Sequence, residues 1–227
     1  MLVKGRLPKE SGREYALRCI RQSIVGLDLK PGCFLSEQEI ATELSISRTP
    51  VREALIELSK AQIVEIYPQR GSRVSLIDYT LVEEASFIRL TMESAIIELA
   101  CKVATAADYK WLEDNLKLQQ FYVDNPTPKM LMELDNKFHR YLYQICNKMR
   151  CYILVDSMSI HLDRVRSMSL NVIKDNKIVG DHYAIFDAIK SNRPQLAKEY
   201  MEKHLLRFQI DKEVISKQYP EYFVMGS

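Results

Sequence analysis

Residues Ser47 to Leu55 read SRTPVREAL, and the interpretation of the whole chain turns on them. A serine followed by Pro50 in the first helical turn is a helix start. Val51, Ala54, Leu55 and Leu58 then fall on one apolar stripe of period 3.6, while Arg48 and Arg52, four residues apart, share the opposite face. Such a helix offers guanidinium groups at its front end, where each is able to pair bidentately with a guanine in the major groove. Ser47 and Thr49, with the free N–H groups of the helix start, suit a phosphate oxygen. Arginines opposite a core face are more often merely solvated, and Glu53 and Glu57 are near enough to pair with them. The surrounding order of elements decides between the two readings.

Upstream lies LSEQEIATEL, residues 35–44. Ser36 caps a helix there, Glu39 at its third position predicts a capping box, and Ile40 and Leu44 give the buried side. Gln38, near the same helix start, is placed for the DNA backbone or a base. Before it, a helix is expected from Glu14 to about Gly26, followed by a turn at Leu29-Lys30-Pro31-Gly32. Downstream, β-rich runs at Ile63–Tyr67 and Ser72–Leu76 flank Pro68-Gln69-Arg70-Gly71, a hairpin signature. At its tip Arg70-Gly71 would let the wing approach a minor groove, since glycine has no side chain in the way. Helix, helix, tight turn, helix and hairpin is the order of a winged helix-turn-helix, here over residues 13–77.

From Leu81 onward the β signals disappear. Helices are predicted over roughly 80–104, 106–123, 128–148, 150–171, 175–191 and 193–215. Breaks fall at Asp124–Pro128, Asn147, Lys174–Lys177 and Arg193-Pro194. The fold class is therefore mainly α: an N-terminal winged helix-turn-helix with a small β-hairpin, then an all-α helical bundle over 80–212.

The composition agrees with this reading without deciding it. Across 227 residues, 47% are hydrophobic and 27% charged, ordinary for a globular chain. No apolar run approaches a membrane span and no apolar signal segment opens the chain, so the cytoplasm is the expected location. Five cysteines, odd in number and without CxxC spacing, read as reduced core thiols. Residues 1–77 carry 12 Lys+Arg against 9 Asp+Glu, and residues 78–227 carry 20 against 21. That asymmetry leans towards an N-terminal nucleic-acid module.

The histidines of the second domain are unusual. In MELDNKFHRYLYQI, Asp135 and His139 stand at i and i+4, on the face of Phe138, Leu142 and Cys146. His182 lies among Ile178, Ile185, Phe186 and Ile189, and His204 among Ala197, Met201, Leu205 and Phe208. One carboxylate and three imidazoles thus sit on apolar stripes of three helices. Convergence on a divalent cation would satisfy all four, and separate hydrogen bonds within the core would do so equally well. His161, near Leu154, Met158 and Val165, is read as structural.

The run PGCFLSEQEIATELSISRTPVREALIEL (residues 31–58) resembles the DNA-binding segment of the GntR family of bacterial regulators, in its FadR-like branch. The resemblance covers about residues 13–77. Two positions depart from it: Ser45 and Gln62 stand where the family commonly has glycine. The resemblance implies a homodimer on an inverted-repeat operator in double-stranded DNA, with binding controlled by a ligand. Residues 80–212 in turn resemble the all-helical, metal-containing FCD-type ligand-binding domain of that branch, with its Asp-x-x-x-His on one helix and one histidine on each of two later helices. Asp135, His139, His182 and His204 match these positions. The implied cofactor is a divalent metal, Zn²⁺ before Ni²⁺ or Mn²⁺, with open positions for a small carboxylate effector. Arg89, in FIRLTMESA, matches an arginine that the family places near its pocket and is assigned to an effector carboxylate; a surface pairing with Glu93 is the competing assignment.

The expected function is a ligand-responsive transcription regulator, a repressor released from a palindromic operator by a small carboxylic acid at the metal, and not an enzyme. A metal-dependent enzyme with an appended DNA-like module is the rival from another class. The chain shows no HExxH, no G-x-S-x-G, no P-loop and no dinucleotide turn to support it. A regulator with a purely structural metal and an acyl-type effector is the third reading.

Overall fold

A computed structural model describes residues 5–172 and 177–224. Within it the chain forms two compact units: Met1–Val82 with Ile160–Arg164 and Ser216–Ser227, and Glu83–Ser159 with Val165–Ile215.

In the first unit, α1 (Gly12–Val25) begins two residues earlier than the apolar pattern indicates, because Ser11 caps it. The Ser11 hydroxyl accepts from the Glu14 N–H, and the Glu14 carboxylate accepts from the Ser11 N–H at 2.8 Å. This is a complete capping box. Helix α2 (Glu37–Leu44) is capped by Ser36, whose hydroxyl accepts from the Glu39 N–H at 3.3 Å. Only that half of the expected box is formed, and Glu39 stays exposed. The chain then turns at Ser45 (φ 54°, ψ 43°) into α3 (Arg48–Lys60).

Strands β2 (Val64–Tyr67) and β3 (Gly71–Val74) form the expected antiparallel hairpin, with Val64 opposite Val74 and Tyr67 opposite Gly71. A third strand, β1 (Phe34–Leu35), pairs with β3, so the sheet order is β1-β3-β2. Two residues are too short to show an alternating pattern, and β1 is invisible in the sequence for that reason. Gly71 (φ 93°) makes the return of the hairpin, a conformation that disfavours other residues. Ser45 and Gln62 (φ 58°), the two positions where the resembled family commonly has glycine, also adopt the left-handed region.

Ala16, Ile20, Ile24, Val51, Leu55 and Leu58 are buried between α1 and α3, each large side chain contributing about 1.5–3 kcal/mol. Two later segments complete the unit. Arg164 is fully buried; its guanidinium donates to the Ser75 carbonyl at 2.7 Å and to the Nδ1 of His161 at 2.6 Å. His161 Nε2 donates to the Gln62 carbonyl at 3.2 Å. The C-terminal segment docks as well: Ile77 bridges to Phe223, and the Phe223 ring stacks on Tyr79 at 5.0 Å.

The helices that follow are α4 (Tyr79–Val103), α5 (Ala106–Asp124), α6 (Pro128–Ile145), α7 (Met149–Met158), α8 (Ile160–Val172), α9 (Lys177–Lys190), α10 (Pro194–Leu205) and α11 (Arg207–Gln218). Two of the expected long helices are divided. Ser159 ends α7, its hydroxyl bonding back to the Val155 carbonyl at 2.7 Å and its N–H to Asp156, which tightens the last turn. Leu206 divides α10 from α11 without a polar marker in the sequence. Asn147 (φ 54°) and Asn192 (φ 49°) supply the left-handed residues at two of the predicted breaks. The break at Lys174–Lys177 lies outside the described residues, apart from Lys177, which opens α9.

The core of this second unit is built from Ile97, Leu112, Leu116, Phe138, Leu142, Ile185, Ile189 and Met201, all essentially inaccessible. Among the described residues no helix is long and apolar enough to cross a membrane.

Candidate nucleic-acid face and candidate metal centre

The front of α3, the start of α2 and the hairpin tip line one open groove. Its walls include Gln38, Arg48, Arg52, Arg70 and Gly71, together with the exposed ring of Phe34 on β1. Ser47 and Thr49 are also exposed, and the Ser47 hydroxyl makes no capping bond to its own helix. Its oxygen is therefore available to an outside partner. The Gln38 side chain hydrogen-bonds to its neighbour Thr42, at 3.4 Å.

The arginines do not pair with Glu53 or Glu57. Both turn to Glu37 in the first turn of α2, Arg52 through Nε at 3.0 Å and a terminal nitrogen at 2.9 Å, Arg48 at 3.2 Å. The Arg52 hydrogen bond first, opposed by partial burial and aided by Arg48, holds the Glu37 carboxyl below its ordinary range. Both guanidiniums remain more than half exposed, so the fork is a surface arrangement weak enough for phosphates or bases to displace. Sequence spacing could not reveal Glu37 as their partner, because the contact runs between two helices.

In the second unit, Asp135, His139, His182 and His204 meet in the interior. All four are buried, and one ligand atom from each lies within 4.8 Å of the others. His139 Nε2 and His182 Nε2 each stand 3.1 Å from His204 Nε2. Asp135 Oδ1 is 3.5 Å from His182 Nε2, and its other oxygen 4.0 Å from His139 Nε2. Nitrogens about 2.0–2.1 Å from a tetrahedral zinc ion would be spaced by roughly 3.3 Å, so the spacing suits a metal shell.

The opposite edges of the rings strengthen this fit. His139 Nδ1 stands 2.5 Å from Glu93 Oε2; a carboxylate only accepts, so the proton is on Nδ1 and the Nε2 lone pair faces inward. His182 Nδ1 has the side-chain oxygen of Gln119 at 2.7 Å. His204 Nδ1 is buried without a hydrogen-bond partner, 3.8 Å from Asp181 Oδ2. Lone pairs of His139 and His182 thus converge on His204, an arrangement that repels unless a cation or a proton stands among them.

Electrostatics keep His139, His182 and Asp135 in the forms that could hold a metal. Burial pushes His139 down to about 4, in spite of Glu93, and drives His182 well below the ordinary imidazole value. Burial alone would raise Asp135, but the Arg166 guanidinium holds it well below the usual carboxylate range. Glu93, likewise raised by burial, is brought to about 2 by Arg89 and His139. Neutral imidazoles and an ionised carboxylate are the forms that ligate a metal.

Arg89 is buried rather than on the surface, and its Nε donates to Glu93 at 2.8 Å. Arg166 on α8 hydrogen-bonds Asp135 and, at 3.1 Å, Asn136. The sequence reading did not include Glu93, Gln119 or Arg166 in the site. Glu93 and Gln119 carried a signal, as polar residues in register with buried apolar ones; Arg166 did not.

Comparisons with known proteins agree with this division of labour. Residues 14–74 match the family described as bacterial regulatory proteins, gntR family, and residues 84–207 match the FCD domain. The chain is 31% identical over 225 residues to the HTH-type transcriptional repressor RspR of Escherichia coli (strain K12), covering 98% of this chain and 99% of that one. It is 34% identical over 205 residues to an HTH-type transcriptional regulator in an unstable DNA locus of Streptomyces ambofaciens, covering 90% and 86%. Among solved structures it is similar to E. coli McbR/YncC, with a TM-score of 0.80 at 18% identity, covering 92% of this chain and 99% of that one.

Proposed function

The chain belongs to the GntR family of bacterial regulatory proteins and carries an FCD domain, and on that premise we propose that it is a repressor released from an inverted-repeat operator by a small carboxylate. In this reading Arg48 and Arg52 read guanine edges, Ser47 and Thr49 grip the backbone, Gln38 meets the backbone or a base, and Arg70 with Gly71 brings the wing to the minor groove. The protein acts as a homodimer, each copy reading one half-site.

Asp135, His139, His182 and His204 would hold a divalent cation, Zn²⁺ before Ni²⁺ or Mn²⁺, which would supply a Lewis-acid anchor for an effector oxygen. The observation that carries this is the convergence of the buried imidazole edges with Asp135. Charge supports an anionic effector. The formal charges of Arg89, Glu93, Asp135 and Arg166 cancel, so a divalent cation among neutral imidazoles leaves two positive charges in a buried place. Such a surplus favours a carboxylate. Arg89 and Arg166 each hold a carboxylate beside the centre, and Arg166 is the more exposed of the two.

The test begins with selection of bound duplexes from a random pool. The Kd for the selected operator is then measured by fluorescence anisotropy with Zn²⁺ and a panel of mono-, di- and tricarboxylic acids. Weakening of operator binding by a carboxylate, only with metal present, is the expected result. No selected sequence, or a response indifferent to chelation, would overturn the reading.

A further inference from the structure

We propose that Asn115 and Gln119 form an amide relay that fixes the tautomer and tilt of His182, and so sets how tightly the centre holds a divalent cation. The proposal rests on the metal reading above. Both residues lie on α5 one turn apart, both are buried, and neither supplies a ligand atom.

The direction of the relay is imposed from one end. The Leu134 carbonyl is purely an acceptor, so Asn115 must present its NH₂ there, at 3.3 Å. That leaves the Asn115 oxygen to accept from the Gln119 NH₂ at 2.7 Å. The Gln119 oxygen is then turned to His182 Nδ1, at 2.7 Å, and only a protonated Nδ1 satisfies it. The proton is excluded from Nε2, whose lone pair faces His204 and Asp135. Flipping either amide would set oxygen against oxygen or NH₂ against N–H, in a buried place where such errors are costly.

The relay also joins two ligands from different helices. Its anchor, Leu134, immediately precedes Asp135 on α6, while its far end grips His182 on α9. His139 reaches the same tautomer by a different device, the Glu93 carboxylate. His161 holds the opposite one, with Nε2 protonated towards a carbonyl. The tautomers of His139, His161 and His182 therefore follow the acceptor that each of these rings meets, and for His182 that acceptor is an amide with its own fixed orientation.

The test uses the full chain with Gln119→Leu, Gln119→Glu and Asn115→Leu, measuring Zn²⁺ affinity by competition with a chromogenic chelator and imidazole tautomers by ¹⁵N NMR of the metal-free protein. Gln119→Leu should weaken Zn²⁺ by about 10- to 100-fold and populate both His182 tautomers. Gln119→Glu keeps an acceptor for Nδ1–H and should stay within a few fold of the parent; Asn115→Leu should fall between them. Unchanged affinity in a folded Gln119→Leu, or an equal loss in Gln119→Glu, would overturn the relay in favour of plain packing. Should Gln119→Leu not fold, the parent spectrum decides, since His182 protonated on Nε2 contradicts the proposal outright. A parent that binds no Zn²⁺ sinks the metal reading instead, and its His182 tautomer still judges the relay.

Discussion

Acidification should destabilise the DNA-binding unit through a buried histidine that belongs to neither the candidate DNA face nor the candidate metal centre. His161 donates through Nε2 to the Gln62 carbonyl and accepts through Nδ1 from Arg164, so a second ring proton would meet a buried guanidinium head-on. Burial first, and Arg164 second, depress its pKa from 6.5 to about 3. Below pH 6.5 the unfolded chain takes up a proton that the folded state refuses, so stability is lost as pH falls from about 6.5 towards 3. Between pH 7 and pH 4.5 this amounts to about 2.5 kcal/mol at 1.36 kcal/mol per pH unit. The folded value lies below that window, so the figure depends almost wholly on the unfolded one. The control is His161→Gln, whose side chain is able to donate and accept at the same two places and does not titrate. Because the two units need not unfold together, the readout should be local: hydrogen exchange of peptides covering Val64–Val74, compared across pH. Wild-type protein should lose that additional stability and the variant should not. Parallel losses in the two proteins would refute the neutral, wedged His161.

Three further outcomes are expected. Arg52→Ala should weaken the selected operator by about 5- to 150-fold and relax base choice at one position per half-site, with little change in melting temperature, since its partner Glu37 is a surface contact; anisotropy titrations and a repeated selection check this. His182→Ala should leave operator affinity intact without effector, abolish Zn²⁺ uptake by elemental analysis, and flatten the carboxylate dose curve. Phe138→Ala removes a fully buried ring stacked on His182 at 4.4 Å and should cost about 3–5 kcal/mol by urea unfolding, with weaker Zn²⁺ binding in the fraction that remains folded.

The DNA-reading module was legible in the chain because its signals are local. SRTPVREAL carries its own helix start, stripe and charged face within nine residues, and the hairpin announces itself by β-rich runs around Pro68–Gly71. Even Ser45 and Gln62, out of place as glycine substitutes, marked positions that prove to have positive φ. The histidine set was half legible. Periodicity put Asp135, His139, His182 and His204 on inward faces, but a face does not say which atoms meet, and a resemblance had to nominate the centre.

What tertiary structure alone decided is everything that depends on pairing between distant segments. It gave Glu37 to the two arginines, β1 to the wing, and Ile160–Arg164 and the C-terminal segment to the first unit. Around the histidines it chose Glu93, Gln119 and Arg166 from three other helices, and with the first two which nitrogen of His139 and of His182 carries its proton. A 3.6-residue period fixes the side of a helix a residue occupies, whereas hydrogen-bond direction is set by whichever donor or acceptor packing brings within 3 Å or so. That information is absent from any single stretch of chain.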